Sequence, residues 1–297
     1  MKESLLWRIL GNDVPDRHSA NQTYRCLEHI LVNEDVLPHC QKRFLVNRIA
    51  CDDKRGKILD LLMSFGEDFT EIPFDPEAYD RLPHEQRAGY LTNQAYAKNF
   101  CIDWGLENDF DFVLPFDGQI FIPSTGWGTL QRKVDSDYGT LSSGHQEFLA
   151  MLMVRAKSFV EETFDEIDSD GNIIGCLSHE SWVDHTGMSR YGVSSPQIIF
   201  SEESDVRYRD LPYGDTSVDM LNRIGLAGLW SKLDPDKFRE SLANKSSSYG
   251  QVFAAGYCVR LPSGKPDIDV DGWKRHFARQ AGIQKLVLQV NSLVEES

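Results

Sequence analysis

Apolar and polar positions change period several times along the first 122 residues, and each change marks an element. Residues 4–10 form a short apolar run that stops at Gly11-Asn12-Asp13, as a buried strand does on entering a loop. Over residues 23–33, Cys26, Leu27, Ile30 and Leu31 fall on one helical face. Residues 43–49 read as a second strand. Residues 54–65 read as an amphipathic helix carrying Ile58, Leu59, Leu61, Leu62 and Phe65, and residues 69–74 as a third strand closed by prolines. Residues 75–87 are polar and contain proline, which predicts a long loop. From residue 93, Ala95, Ala97, Phe100, Cys101 and Trp104 recur at helical spacing. The run Phe112-Val113-Leu114 then predicts a buried strand, turned by Asp117-Gly118-Gln119 and resumed by Ile120-Phe121-Ile122. Strands alternating with helices predict an α/β fold, a mostly parallel sheet flanked by helices.

The second half is less regular. Residues 148–154 form a strong apolar run, and residues 197–200 read as another buried strand. Asp168-Ser169-Asp170-Gly171-Asn172 resembles the opening of a calcium loop but lacks its glycine and its closing acid, so a hairpin turn is expected. Residues 218–224, 235–242 and 272–294 read as helices, the last with a weak point at Gly282. These elements divide the chain into an α/β domain over residues 1–215 and a C-terminal helical extension over 216–297.

Composition narrows the function classes. The chain has 297 residues, 41% of them apolar, and a net charge of −15. That balance argues against a nucleic-acid footprint, which needs a basic face. The pairs Lys42-Arg43 and Lys274-Arg275 read as solvated charge. The six cysteines show no CxxC pair and no zinc spacing. No run approaches the ~18 apolar residues of a membrane span. The opening MKESLLWRILGND is too short and too interrupted for a signal peptide, so a cytoplasmic protein without a transmembrane segment is expected.

Ligands of open α/β sheets bind outside the carboxyl ends of the strands. Gly11-Asn12-Asp13, Asn47-Arg48 and Asp117-Gly118-Gln119 are three such ends. Asp117 reads either as a ligand-binding carboxylate or as a turn-former before Gly118. Asp13 reads as a contact to a base or ribose, or as a turn residue before Pro15. Arg17 and His18 read as phosphate contacts or as ordinary loop residues. Arg48 suits a diphosphate or a surface ion pair, and Lys98 faces either a ligand or solvent.

These residues carry a resemblance. The Ala97-Lys98-Asn99 helix, the acidic turn Asp117-Gly118-Gln119, the opening Arg8-Ile9-Leu10-Gly11-Asn12-Asp13, the segment Leu45-Val46-Asn47-Arg48-Ile49, and Pro196-Gln197-Ile198 with Tyr213-Gly214 are similar to GT-A-type, family-2-like glycosyltransferases. The likeness is greatest to a less characterised bacterial glycosyltransferase-like group, and covers most of residues 5–230.

The resemblance implies a Rossmann-like nucleotide-sugar domain and transfer of a sugar from a nucleoside-diphosphate sugar to a glycan or other hydroxyl acceptor, as in polysaccharide biosynthesis. It implies donor-binding roles for Gly11, Asn12, Asp13, Arg48, Lys98, Asp117 and Gln119. It also implies Mn²⁺ or Mg²⁺ held at Asp117 and Gln119, although Gln119 stands where such enzymes usually carry a second acid. A general base is expected from Glu180 or Asp184 in Ser178-His179-Glu180-Ser181-Trp182-Val183-Asp184-His185, with Asp215 as competitor. His179 and His185 are further candidates for base or metal ligand. Two alternatives stand beside this reading: a sugar nucleotidyltransferase, and a non-enzymatic nucleotide-sugar-binding protein with a degenerate metal site.

Overall fold

A computed structural model of the chain describes residues 2–135, 146–155, 194–202, 204–224, 246–247, 250–261 and 272–295. In chain order the strands are β1 (Ser4–Leu10), β2 (Cys40–Asn47), β3 (Phe69–Ile72), β4 (Phe112–Asp117), β5 (Ile120–Phe121), β6 (Gln146–Arg155), β7 (Ser194–Ser201), β8 (Ser246–Ser247) and β9 (Gly250–Arg260). The helices are α1 (Gln22–Asn33), α2 (Asp52–Phe65), α3 (Pro76–Asp80), α4 (His84–Thr92), α5 (Gln94–Glu107), α6 (Ser124–Asp135), α7 (Thr216–Arg223) and α8 (Gly272–Glu295).

One sheet runs through the described residues in the order β3-β2-β1-β4-β7-β6-β9-β5, with β8 on β9. The side β3-β2-β1-β4 is parallel throughout. Beyond it β7 runs antiparallel between β4 and β6, and β6 and β9 are parallel again. The α/β expectation holds, and its parallel part is the half read most clearly from the hydrophobic pattern.

Alternation along β1 decides what each face buries. Leu5 and Trp7 pack with Ala97, Cys101 and Val113 beneath α5. Leu6 and Leu10 point the other way, into clusters built with Phe112, Leu114 and Phe116 and with Leu27, Phe44 and Val46. Arg8 lies on that second face and is wholly buried. It pairs with the equally buried Glu34, which closes α1. Lys42 of β2 approaches the second Glu34 oxygen at 3.2 Å, and the Ile122 N–H donates to the first at 2.8 Å. Burial strips both charges of water, so each depends on the other, and Arg8 Nε and Nη1 find no hydrogen-bond partner among the described residues. Arg43 lies 4.4 Å from the Trp104 ring centroid, so Lys42 and Arg43 are tied to different partners and form no basic patch.

Two expectations are corrected, and one element is added. Residues 75–87 hold α3 and the start of α4 rather than a loop. Asp75 accepts the Ala78 N–H at 2.9 Å and Pro76 opens α3, so these residues start a helix. Residues 216–297 are not a purely helical extension, because β9 lies within them and inserts between β6 and β5. Its Ala254-Ala255-Gly256 stretch gives a weak strand signal. Helix α6 begins right after β5, where the pattern at residues 124–135 was not read as an element.

Helix α8 docks on the core. Ile283, Leu286, Val287 and Val290 pack against Val14, Tyr79 and Leu91. Gly282 is required by this approach, since a Cβ there would lie 2.4 Å from the Pro15 carbonyl oxygen. Among the described residues no helix is long and apolar enough to cross a membrane. The expected helix at 235–242 and the expected hairpin at 164–177 lie outside the described residues.

Candidate functional site

From β1, the chain places β2 and β3 on one side and β4 on the other. The crevice between the carboxyl ends of β1 and β4 is therefore the switch point at which open α/β sheets bind ligands. Ile9 and Asp117 are register partners there. The Gly118 N–H donates to the Ile9 carbonyl at 2.8 Å, closing the turn onto β1. A Cβ at Gly118 would lie 2.5 Å from the Leu10 side chain and 3.0 Å from the Ile9 oxygen, which explains glycine after the acid.

Lys98 reaches this turn from α5. Its Nζ lies 3.1 Å from Asp117 Oδ1 and donates to the Pro115 carbonyl at 3.0 Å. The Tyr208 ring centroid is 5.4 Å away. Lys98 is buried, whereas the Asp117 side chain is 41% exposed. Burial disfavours both charges, yet their attraction outweighs it. Asp117 is held below the usual carboxylate value, with Arg260 and Arg17 adding to the effect of Lys98, and Lys98 is held above the usual ammonium value.

Asp117, Lys98, Gln119, Gln94, Arg17 and Tyr213 line a cavity of about 120 Å³. Arg17 donates to the Tyr213 hydroxyl and lies 5.0 Å from that ring's centroid. Cys26 lines the same cavity, but burial pushes its thiol up to about 12, which leaves no thiolate for chemistry at neutral pH.

A larger cavity of about 400 Å³ adjoins it, bounded by Asp13, Tyr24, Ile49 and Lys54 on one side and by Leu286 and Val290 of α8 on the other. The two share Gly11, Asn12, Thr23 and Leu286 as walls.

Several sequence candidates are engaged in holding this frame. Asn12 donates to the carbonyls of Arg48 at 2.7 Å and Leu91 at 3.1 Å, and accepts the Ala50 N–H at 3.0 Å. Asp13 accepts the Thr23 N–H at 2.8 Å and so caps α1, whose own N-cap residue Asn21 offers no side-chain bond. Lys54 lies 3.6 Å from the other Asp13 oxygen. Arg48 stacks on Tyr90 at 4.0 Å and donates to the Tyr90 carbonyl at 3.1 Å, and it lines neither cavity. Asp215 begins α7 and also lies outside both linings. Glu180, Asp184, His179 and His185 fall outside the described residues.

Gly11, Asn12, Asp13, Lys98, Asp117 and Gln119 thus line the strand-end cavities, and Arg48 follows the end of β2 outside both linings. Sequence reading did not find Gln94, or Tyr208 beneath Lys98. Gln94 lies one helical turn before Lys98 on α5, whereas Tyr208 reaches the site only through packing of a segment distant in the chain.

The donor set for a divalent ion is thin. Among the described residues no three His, Cys, Asp or Glu side chains come together. Asp117 is the only acid of its turn and is already paired with an ammonium. Gln119 supplies a neutral amide in place of a second carboxylate, and its main-chain carbonyl is already taken by the Leu261 N–H at 2.9 Å. These residues do not fit a resident Mn²⁺ or Mg²⁺.

No family model and no curated protein matches the chain. Among solved structures it is similar to S. aureus TarS, with 10% identity, a TM-score of 0.37 and coverage of 88% of this chain. The match spans only 37% of the TarS chain. It is also similar to a 4-diphosphocytidyl-2C-methyl-D-erythritol synthase, with 14% identity, a TM-score of 0.35, and coverage of 94% of this chain and 100% of that one. Likenesses at this level carry no argument about chemistry.

Proposed function

We propose that the protein is a GT-A-like glycosyltransferase that takes a sugar from a nucleoside-diphosphate sugar. One observation carries the reading: fixed charges converge at the β1/β4 switch point beside a larger, mainly apolar cavity that shares its walls. A nucleoside suits the larger space, where Tyr24 offers a ring and Lys54 a polar group. The diphosphate suits the smaller one, beside Lys98 and Arg17.

In the transfer, the bond between the anomeric carbon and the phosphate oxygen breaks and its electron pair leaves on the diphosphate. An acceptor hydroxyl oxygen forms the new bond to that carbon, and its proton passes to a base. On the sequence alone the candidates for that base are Glu180 and Asp184, with Asp215 as competitor. Charge developing on the leaving oxygen is what a positioned cation stabilises.

Calorimetry with UDP-, GDP- and CDP-sugars tests the reading, followed by an assay of nucleoside diphosphate release with candidate acceptors. Micromolar binding of at least one donor is the expected result. Failure of every nucleotide and nucleotide sugar to bind would remove the proposal. Pyrophosphate release from a nucleoside triphosphate and a sugar phosphate would replace it with a nucleotidyltransferase.

A further inference from the structure

We propose that this site neutralises its diphosphate without a divalent ion, the Lys98 ammonium filling the metal's place and Arg17 assisting. The inference rests on the nucleotide-sugar reading above. Its first support is position. A metal in this role would sit between Asp117 and the ligand's phosphates, and Lys98 Nζ lies 3.1 Å from Asp117 Oδ1 at the wall of the same cavity.

The second support is hydrogen-bond capacity. An ammonium has three hydrogens. Pro115 O takes one at 3.0 Å and Asp117 Oδ1 a second, which leaves the third for a phosphate oxygen.

Confinement is the third. Lys98 is buried among Pro115, Asp117 and the Tyr208 ring, so the charge is preorganised and needs no ion from solution. A dication arriving at Asp117 would meet that ammonium at close range in a partly desolvated site, where like charges repel far more strongly than in water.

Arg17 is the fourth. Tyr213 holds its guanidinium on the lining of the same cavity, and a planar fork suits phosphate oxygens. Asp117 thereby acquires a different role. It orients Lys98 and is a positioning residue rather than a ligand.

Calorimetry of UDP and GDP binding in EDTA and in Mn²⁺, with Mn²⁺ alone followed by electron paramagnetic resonance, tests this on the intact protein. The expected result is one affinity in both buffers, within about twofold, and a free-ion Mn²⁺ spectrum. Tightening by Mn²⁺ of about tenfold or more would overturn the inference and leave the nucleotide-sugar reading standing. Absence of binding in both buffers would remove that reading, and the inference with it.

Two variants separate the roles. Asp117→Asn keeps an oxygen that orients Lys98 and removes the competing charge, so diphosphate binding is kept or tightened here in both buffers, whereas a loss of about tenfold in Mn²⁺ but not in EDTA would mark Asp117 as a metal ligand and overturn the inference. Lys98→Ala leaves Asp117 open, so UDP affinity falls about tenfold in EDTA and Mn²⁺ restores it. An affinity for UDP unchanged by that substitution would also overturn the inference.

Discussion

The two cavities share a wall and differ in kind. The larger, about 400 Å³, is closed by apolar side chains of α8 and by the frame residues Asn12 and Asp13, whose polar atoms are already bonded. The smaller, about 120 Å³, holds the Lys98–Asp117 pair and Arg17. Volume and charge are thus divided between neighbours. One space offers area to a flat, weakly polar group, and the other offers fixed charge to an anion. A ligand with both parts uses the protein fully, and the division gives each part its own mutational signature.

The sharpest way to break the division is to disturb the wall that both cavities use. Leu286→Ala removes a buried side chain from both, so stability falls by about 2–5 kcal/mol and nucleoside and diphosphate affinities fall together. Urea unfolding and calorimetry read the two effects. Gly282→Ala forces α8 away from the Pro15 carbonyl, at a cost of about 1–3 kcal/mol, again with both affinities reduced.

Arg17→Gln acts on the smaller cavity alone. UDP binding weakens about tenfold while uridine binding is unchanged, and equal losses for the two ligands would show that the cavities do not divide the work. Asp13→Ala is the milder counterpart at the larger cavity. It removes the cap on Thr23 and lowers stability by about 1 kcal/mol, measured by urea denaturation.

The smallest effect is on pH dependence. Asp117 is held below its usual 3.8, so its contribution to stability is present at neutral pH and is lost as pH falls through that lowered value. Lys98 is held above 10.5, so its contribution is lost as pH rises through the raised value. Melting curves of wild type and Asp117→Asn should therefore differ by a constant amount across the neutral range and converge in acid.

The parallel half of the sheet was legible because each element there keeps one hydrophobic period long enough to be read. Strands β1, β2 and β4 and helices α2 and α5 fall where the pattern put them. Residues 75–87 were misread because proline carries two meanings. Pro76 starts a helix beneath the Asp75 cap, and only the capping bond tells this from a break. Helix α6 was missed because Gly126 and Gly128 dilute its apolar face. At the site, Asp117 was legible as an acid before glycine at a strand end. Its partner was read only as one of two possibilities, since a lysine on a helix gives the same letter whether it faces solvent or a carboxylate. The frame roles of Asn12 and Asp13 were hidden because their partners at residues 48, 50, 91 and 23 come together only when the sheet forms.

The Arg8–Glu34 pair constrains how this sequence can drift. Replacing Arg8 alone leaves a carboxylate inside the core with Lys42 and the Ile122 N–H as its remaining partners, and replacing Glu34 alone strands a guanidinium. Exchanging both for apolar residues of similar volume removes the penalty in a single move. Descendants of a common ancestor should therefore carry both charges or neither. Positions 8 and 34, 26 residues apart, would then change as a pair across a lineage and mark the docking of α1 on β1 without any coordinates.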